Sequence, residues 1–258
     1  MKQLCQDVYR YRELIWALAI KDLTVRYKRS ALGFLWALLN PMLLMFVLTL
    51  VFSKIMVLAL EHYPVFLLST LVPWTFFAQS LTYAVESIVG NADLIKKVSV
   101  PKAVFPVAAV LSNLVNLMLS LIPLALIVIV MRHPFHWTWI LLPIPILALA
   151  IFTMGFSFFF ASANVFYRDV AHIVQIVIQL WFYVTPIIYT LDFFSPRYRW
   201  MFKLNPIIYV LNDFRLFVYY GLLPTLLSVA GAFACAFAAF AIGFSAFRRH
   251  ESEFVFYV

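Results

Sequence analysis

Charge is what this sequence has least of. Only 12% of its 258 residues are Asp, Glu, Lys or Arg, against about 25% in an ordinary soluble domain. Acids are the scarcer sign, 11 against 19 bases. That is too little charge to clothe a water-facing surface, which excludes an ordinary soluble globular protein. Cysteine is nearly missing too. Cys5 lies in the N-terminal polar segment and Cys235 in the last apolar run. The two are not expected to meet, so a disulfide-stapled scaffold is excluded. The five histidines, His62, His133, His136, His172 and His250, are scattered near loops. No Cys/His cluster has metal-ligand spacing, and no metal site is expected. Asp and Glu do not pair in a way that suggests acid–base chemistry. There is no Gly-rich Walker loop, so ATP is not bound or hydrolysed by that route. The chain is therefore expected to be no enzyme and to hold no cofactor. A cleavable signal peptide is not expected either. The first 30 residues hold seven Lys/Arg, and the apolar run behind them is too long and lacks a small-residue cleavage site.

What is present is oil. Hydrophobic residues make up 65% of the chain and the mean hydropathy is +0.97. Uncharged runs cover 30–53, 63–85, 103–131, 137–167, 173–191 and 216–247. A spanning helix needs roughly 20 mostly apolar residues, so six runs predict six transmembrane helices. A lipid-facing backbone must satisfy its own hydrogen bonds, which leaves helices for runs this continuous. A barrel would show short alternating segments instead. The fold expected is an all-α membrane protein. Its net charge of +8 follows topology, not nucleic acid. Assigning the connecting segments alternately to two sides puts 13 Lys/Arg on the side of both termini and 6 on the other. Positive residues accumulate on the cytoplasmic side, so both termini are expected there.

Residues 1–30 carry a helical repeat. Asp7, Arg10, Glu13, Ala17, Lys21, Thr24 and Lys28 recur on one face, and Val8, Tyr11, Ile15, Leu18 and Val25 on another. Only Asp22 interrupts the apolar side. This predicts an amphipathic helix in the membrane interface. It serves either as a surface anchor or as a contact for a cytoplasmic partner. Residues 31–258 then form the membrane domain. Glu86, near the inner end of the second span, either reaches water at the interface or has a functional role. Between the fifth and sixth spans, 192–224 is rich in Ile, Val, Leu, Phe and Tyr and bounded by Pro206 and Pro224. A stretch this apolar is expected to dip back into the membrane as short re-entrant helices. The sixth span is rich in small residues ("AGAFACAFAAFAIG"), which let helices approach closely.

The segment "NADLIKKVSVPKAVFP", 91–106, interrupts the oil on the cytoplasmic side. Asn91 suits a helix N-cap, Asp93 the first turn, Lys96 and Lys97 the last, and Pro101 a stop. A short helix over about 91–100 is predicted, with Leu94, Ile95 and Val98 as its apolar face. Such a helix fits a groove in a soluble partner, or else makes a plain turn on the membrane surface. Aromatics are 18% of the chain. Many belong to interfacial belts. Trp36, Phe46, Phe76, Phe77, Phe158, Phe159, Phe160, Trp181 and Tyr183 lie deeper or on facing candidates. Aromatic faces stack on the C–H faces of sugar rings, so a sugar-polymer path is one use for them.

Taken together, "RYKRSALGFLWALLNP", "NADLIKKVSVPKAVFP", "NVFYRDVAHI", "WFYVTPIIY" and "LNPIIYVLNDFRLFVYYG" occur in an order that resembles the ABC-2 type permease family. The likeness runs over nearly the whole chain and looks like the branch that exports O-antigen. It implies a homodimer paired with two copies of a separate ATPase subunit that carries ATP and Mg. It implies a bacterial inner-membrane location and a polyprenyl-linked polysaccharide substrate. The 91–100 helix would be the coupling helix, with Asn91, Asp93, Leu94, Ile95, Lys96 and Lys97 at the ATPase. Arg168 and Asp169 would form a local pair, touch that partner or anchor the inner loop. Arg26, Lys28 and Arg29, beside Leu32 and Gly33, lie where a lipid pyrophosphate would arrive, though the positive-inside rule accounts for them as well. Trp36, Phe46, Phe76, Phe77, Trp181 and Tyr183 would line the polysaccharide path.

Other readings compete with this one. The same architecture could export teichoic acid, capsule, a lipid or a drug. A polysaccharide-synthesising membrane enzyme would want outer-loop carboxylates, and only Asp192 and Asp213 are available there. An ion-coupled transporter would want several buried ionisable groups, and Glu86 is the one candidate.

Overall fold

The computed structural model describes residues 2–28, 30, 32–33, 35–55, 60–191 and 195–258. Every regular element among them is helical. In chain order these are α1 (Lys2–Arg10), α2 (Arg12–Tyr27), α3 (Leu35–Thr49), α4 (Tyr63–Glu86), α5 (Ala92–Lys97) and α6 (Val104–Val130). Then come α7 (Pro143–Phe166), α8 (Val170–Val184), α9 (Arg199–Lys203), α10 (Pro206–Arg215), α11 (Leu226–His250) and α12 (Phe254–Tyr257). Four helices are long and apolar enough to cross a membrane: α4, α6, α7 with the 3₁₀ turn before it, and α11. Two shorter apolar helices, within 39–52 and 170–184, match the first and fifth expected spans.

Helix α3 runs on through a π-helical turn, Leu50–Ile55. The fifth run stops earlier than its apolar length suggests. Thr185 is extended (ψ 132°) ahead of Pro186, as the residue before a proline is biased to be.

Helix α4 is the axis of the fold. Seventeen of its 24 residues are buried, and α3, α6, α7, α8 and α10 pack on it. By contrast α11 buries only Ala232, Ala236, Gly243 and Phe247, one narrow stripe turned toward α7. There the backbones touch. A Cβ on Gly155 of α7 would overlap the Ala239 backbone, and one on Gly243 would overlap the Gly155 carbonyl.

Two apolar clusters hold the chain together. The larger surrounds α4 and includes Phe66, Phe77, Phe152, Phe214 and Phe217. The smaller gathers Ile15, Leu18, Ile88, Ile95, Phe105, Phe158, Phe247 and Phe254. It joins α2 and α5 to the ends of α6, α7 and α11. The C-terminal α12 folds back into this cluster, and Glu251 Oε1 accepts the Lys102 backbone N–H at 3.1 Å.

Candidate functional site

The polar chemistry of the membrane half centres on Arg26, near the end of α2. Helix α2 packs along α6, which brings the guanidinium to Asn113. Arg26 Nη1 donates to Asn113 Oδ1 at 3.0 Å. Asn113, fully buried, donates its own Nδ2 to the Ala109 carbonyl at 2.8 Å, which turns its oxygen toward the arginine. The guanidinium carbon also sits 3.8 Å from the centroid of the Tyr83 ring on α4, a cation–π contact. Arg26 Nε and Nη2 are buried and have no hydrogen-bond partner.

Arg26 also lines a cavity of about 530 Å³. Thr75, Gln79 and Thr82 line it from α4, spaced four and three residues apart on one face. Asn116 and Ser120 line it from α6, and Trp36 and Asn40 from α3. Asn116 is 7% exposed, and both atoms of its amide lack a partner. A second cavity, about 310 Å³, lies on the other side of Arg26 and Tyr83. Lys21, Asp22, Glu86 and Asn91 line it. Asp22, the residue that breaks the apolar face of α2, is half-buried there. Burial pushes its carboxyl above the usual range, against the opposing pull of Lys21 and Arg26. Glu86 is the exposed last residue of α4. Lys28 is exposed beyond the end of α2, and Arg29 lies outside the described residues.

The 91–100 segment forms α5, preceded by a 3₁₀ turn, Val89–Asn91. Asn91 stands at the N-cap position but makes no side-chain cap. Its amide instead ties two helices together. It accepts from Lys21 Nζ at 3.1 Å and donates to the Ser87 carbonyl at 2.8 Å. The expected apolar face is split. Ile95 is buried in the smaller apolar cluster and Leu94 is half-buried against it, whereas Val98 is 48% exposed. The short helix therefore presents Asp93, Lys96, Lys97 and Val98 outward. Arg168 and Asp169 are both exposed. Arg168 turns to the C-terminus, where its Nη2 donates to the Tyr257 carbonyl at 3.1 Å.

The candidate path aromatics divide as well. Trp36, Phe46 and Tyr183 are open, at 44%, 62% and 60% exposure. Phe76 and Phe77 are buried in the core, because α4 is enclosed on nearly every side. Trp181 is half-buried, its ring edge-on to Phe77 at 5.3 Å and its Nε1 donating to Asn205 Oδ1 at 2.9 Å. No group of three His, Cys, Asp or Glu that could hold a metal ion occurs among the described residues.

Three features escaped a reading based on charge. Asn113, Asn116 and Ser120 recur at helical spacing within an apolar run, as do Thr75, Gln79 and Thr82. That period was the available signal. Gln175, Gln179 and Tyr183 form an exposed stripe along α8. Arg215 reads as an ordinary outer-loop base, yet it is 7% exposed. Its Nη2 donates to Thr70 Oγ1 and to the Pro186 and Ile187 carbonyls, each at 2.9 Å. Its guanidinium lies 3.9 Å from the centroid of the Phe66 ring.

This arrangement is an all-helical membrane body with a polar pocket and a short exposed basic helix. The family model described as "ABC-2 type transporter" matches residues 13–219, which takes in the pocket, α5 and the buried Arg215. The chain belongs to the ABC-2 type transporter family. As an ABC-2 protein it is a multi-pass membrane protein of the transporter class. Among its relatives is an "O-antigen export system permease protein RfbA" of Klebsiella pneumoniae, 34% identical over 205 residues, 79% of each chain. A protein of the same name from Myxococcus xanthus is 34% identical over 228 residues, 87% of each chain.

Proposed function

We propose that this chain is the transmembrane subunit of an ATP-driven exporter of lipid-linked, O-antigen-like polysaccharide. It moves the polymer from the cytoplasmic to the outer side of the bacterial inner membrane. The observation that carries this reading is the likeness to O-antigen export permeases across most of both chains. The ATPase is a separate subunit, two copies to two copies of this chain, and it holds ATP and Mg.

In this reading the membrane domain, 31–258, has six spans. Helix α3 with its π-helical extension and α8 join the four long helices, and residues 1–30 lie at the cytoplasmic interface. Six spans return both termini to the cytoplasm. Helix α8 alone reaches about 22 Å at 1.5 Å per residue, short of a hydrocarbon core of about 30 Å. The bent 185–189 segment continues the crossing. Between α8 and α11, α9 and α10 dip back from the outer side. Support for this comes from the packing of α10 on α4 and α11.

The exposed Gln175 and Gln179 support a two-copy conduit. Amides facing lipid would be left unsatisfied, so this face of α8 suits a second copy and a wet path, with Trp36, Phe46 and Tyr183 beside it. Phe76, Phe77 and Trp181 hold the wall behind it. Arg26, with Lys28 and Arg29, receives the lipid pyrophosphate. Asp93, Lys96, Lys97 and Val98 dock on the ATPase, Asn91, Leu94 and Ile95 anchor that helix to the body, and Arg168 and Asp169 flank it.

The test is co-expression with the ATPase. A stable complex is expected, whose ATP hydrolysis needs both proteins and whose loss removes surface polysaccharide. Replacing Lys96 and Lys97 by Glu should cut export severalfold while membrane insertion stays normal. Unchanged export in that variant would count against the docking role. Unchanged surface polysaccharide on deletion of the gene would sink the function itself.

A further inference from the structure

We propose that the cavity behind Arg26 is a subsite for the first sugar of the lipid-linked substrate, with Asn116 and Gln79 binding its hydroxyls while Arg26 holds the adjoining phosphate. This rests on the exporter reading and adds a recognition site to it. The inference begins from the free hydrogen-bonding atoms. Nε–H and the Nη2–H beside it form the side-on edge of a guanidinium, the edge that takes two oxygens of a phosphate at once. In Arg26 that edge is unoccupied and buried, while the opposite nitrogen is fixed to Asn113 and the face is fixed on Tyr83. The group is held in place with its fork open.

The cavity beside Arg26 mixes amides and hydroxyls with Trp36, Pro41 and Ala78. Asn116 offers one acceptor and one donor, both unpartnered, and is nine-tenths buried. Gln79, Thr75, Thr82 and Ser120 surround it. Hydroxyls donate and accept, which an amide matches atom for atom. Trp36, on the α3 side, supplies an aromatic face of the kind that stacks on a sugar ring. A volume of about 530 Å³ lies within the range of about 300–1,000 Å³ usual for small-molecule pockets. The acids Asp22 and Glu86 line the neighbouring cavity, not this one.

The experiment uses the full chain in nanodiscs and three probes. These are a polyprenyl diphosphate carrying one N-acetylhexosamine, the bare polyprenyl diphosphate, and phosphatidylglycerol. Dissociation constants are read by native mass spectrometry. The glycosylated lipid should bind about tenfold more tightly than the bare diphosphate, as one or two hydroxyl hydrogen bonds provide. Asn116→Leu and Gln79→Leu should erase that increment and leave the bare diphosphate unaffected. Arg26→Gln should weaken both polyprenyl lipids. Ser120→Ala, a milder change in the same wall, should reduce the increment even if Asn116→Leu fails to fold. Equal binding of the glycosylated and bare lipids overturns the subsite, and so does an unchanged increment in the Gln79→Leu and Ser120→Ala variants. Equal binding of phosphatidylglycerol would make the cavity an ordinary phospholipid site and overturn it too. If neither polyprenyl lipid binds the unaltered protein, the proposed substrate class fails, an outcome distinct from failure of the subsite alone.

Discussion

Two arginines sit at opposite ends of α4, each over an aromatic ring of that helix. Arg26 lies on Tyr83 and Arg215 on Phe66. The rings are 17 residues apart in the sequence, about 25 Å along the helix. Their hydrogen bonds differ. Arg215 gives one nitrogen to three oxygens, two of them the Pro186 and Ile187 carbonyls freed where α8 breaks. Its Nε is buried without a partner, and the residue lines a cavity of about 170 Å³. Arg26 reaches a single amide oxygen and leaves its side-on fork buried and unpaired beside a larger cavity. One arginine mends the backbone and the other is held ready for something to arrive. Arg215 is buried and Arg26 half-buried, and they differ as well in the number of acceptors each has found.

The largest expected effect tests the first half of this contrast. Arg215→Gln should destabilise the protein by about 3 kcal/mol, the cost of stripping a charged donor from buried acceptors. The measurement is thermal unfolding in detergent, and a melting temperature within a degree of the unaltered protein would erase the distinction. Arg26→Gln should do the reverse. Stability should change by only about 1 kcal/mol, since one hydrogen bond and one cation–π contact are lost, while surface polysaccharide falls about tenfold. Both quantities are measured on one strain. A collapse in stability with export following it would make Arg26 as structural as Arg215.

The smallest effect lies at the end of α4 that carries Phe66, around His133. His133 Nε2 lies 2.9 Å from the Tyr219 carbonyl, and its ring stacks on Tyr219 at 5.1 Å. His62 and His136 are its other ring neighbours. Burial holds its pKa below the usual value, with the Tyr219 carbonyl opposing and the two histidines adding to the shift. The folded state therefore binds fewer protons than the unfolded one. The contribution is complete above about pH 6.5, the ordinary histidine value, and is lost as pH falls through the lowered one. Hydrogen exchange at 216–221 should rise below that pH, and His133→Gln should flatten the dependence. An unchanged pH profile in the variant would remove His133 from the account.

Much of the fold was legible in the apolar runs. The run 63–85 became α4, 103–131 became α6, and 137–167 became α7 with its leading turn. Hydropathy reads these well because lipid or a dry core demands the same residues over the same length. The fifth run ended early, since hydropathy does not weigh the proline at 186. The functional pocket was less legible. Its wall consists of amides and hydroxyls, which barely lower the hydropathy of a span, and only their helical period marks them. Arg215 was hidden for another reason, because its acceptors come from two distant segments. Asn91 had the residue type and position of a helix cap, yet its side chain found Lys21, a tertiary partner 70 residues away. Local preference named the helix correctly but not the work of that side chain.

The crossing of α7 and α11 has its own consequence. Where two helices meet through side chains, rotamers can give way and one helix can slide on the other. Gly155 and Gly243 leave nothing to give way, since backbone rests on backbone. The two helices form a single strut, which any rearrangement of the helices around it must move as one piece.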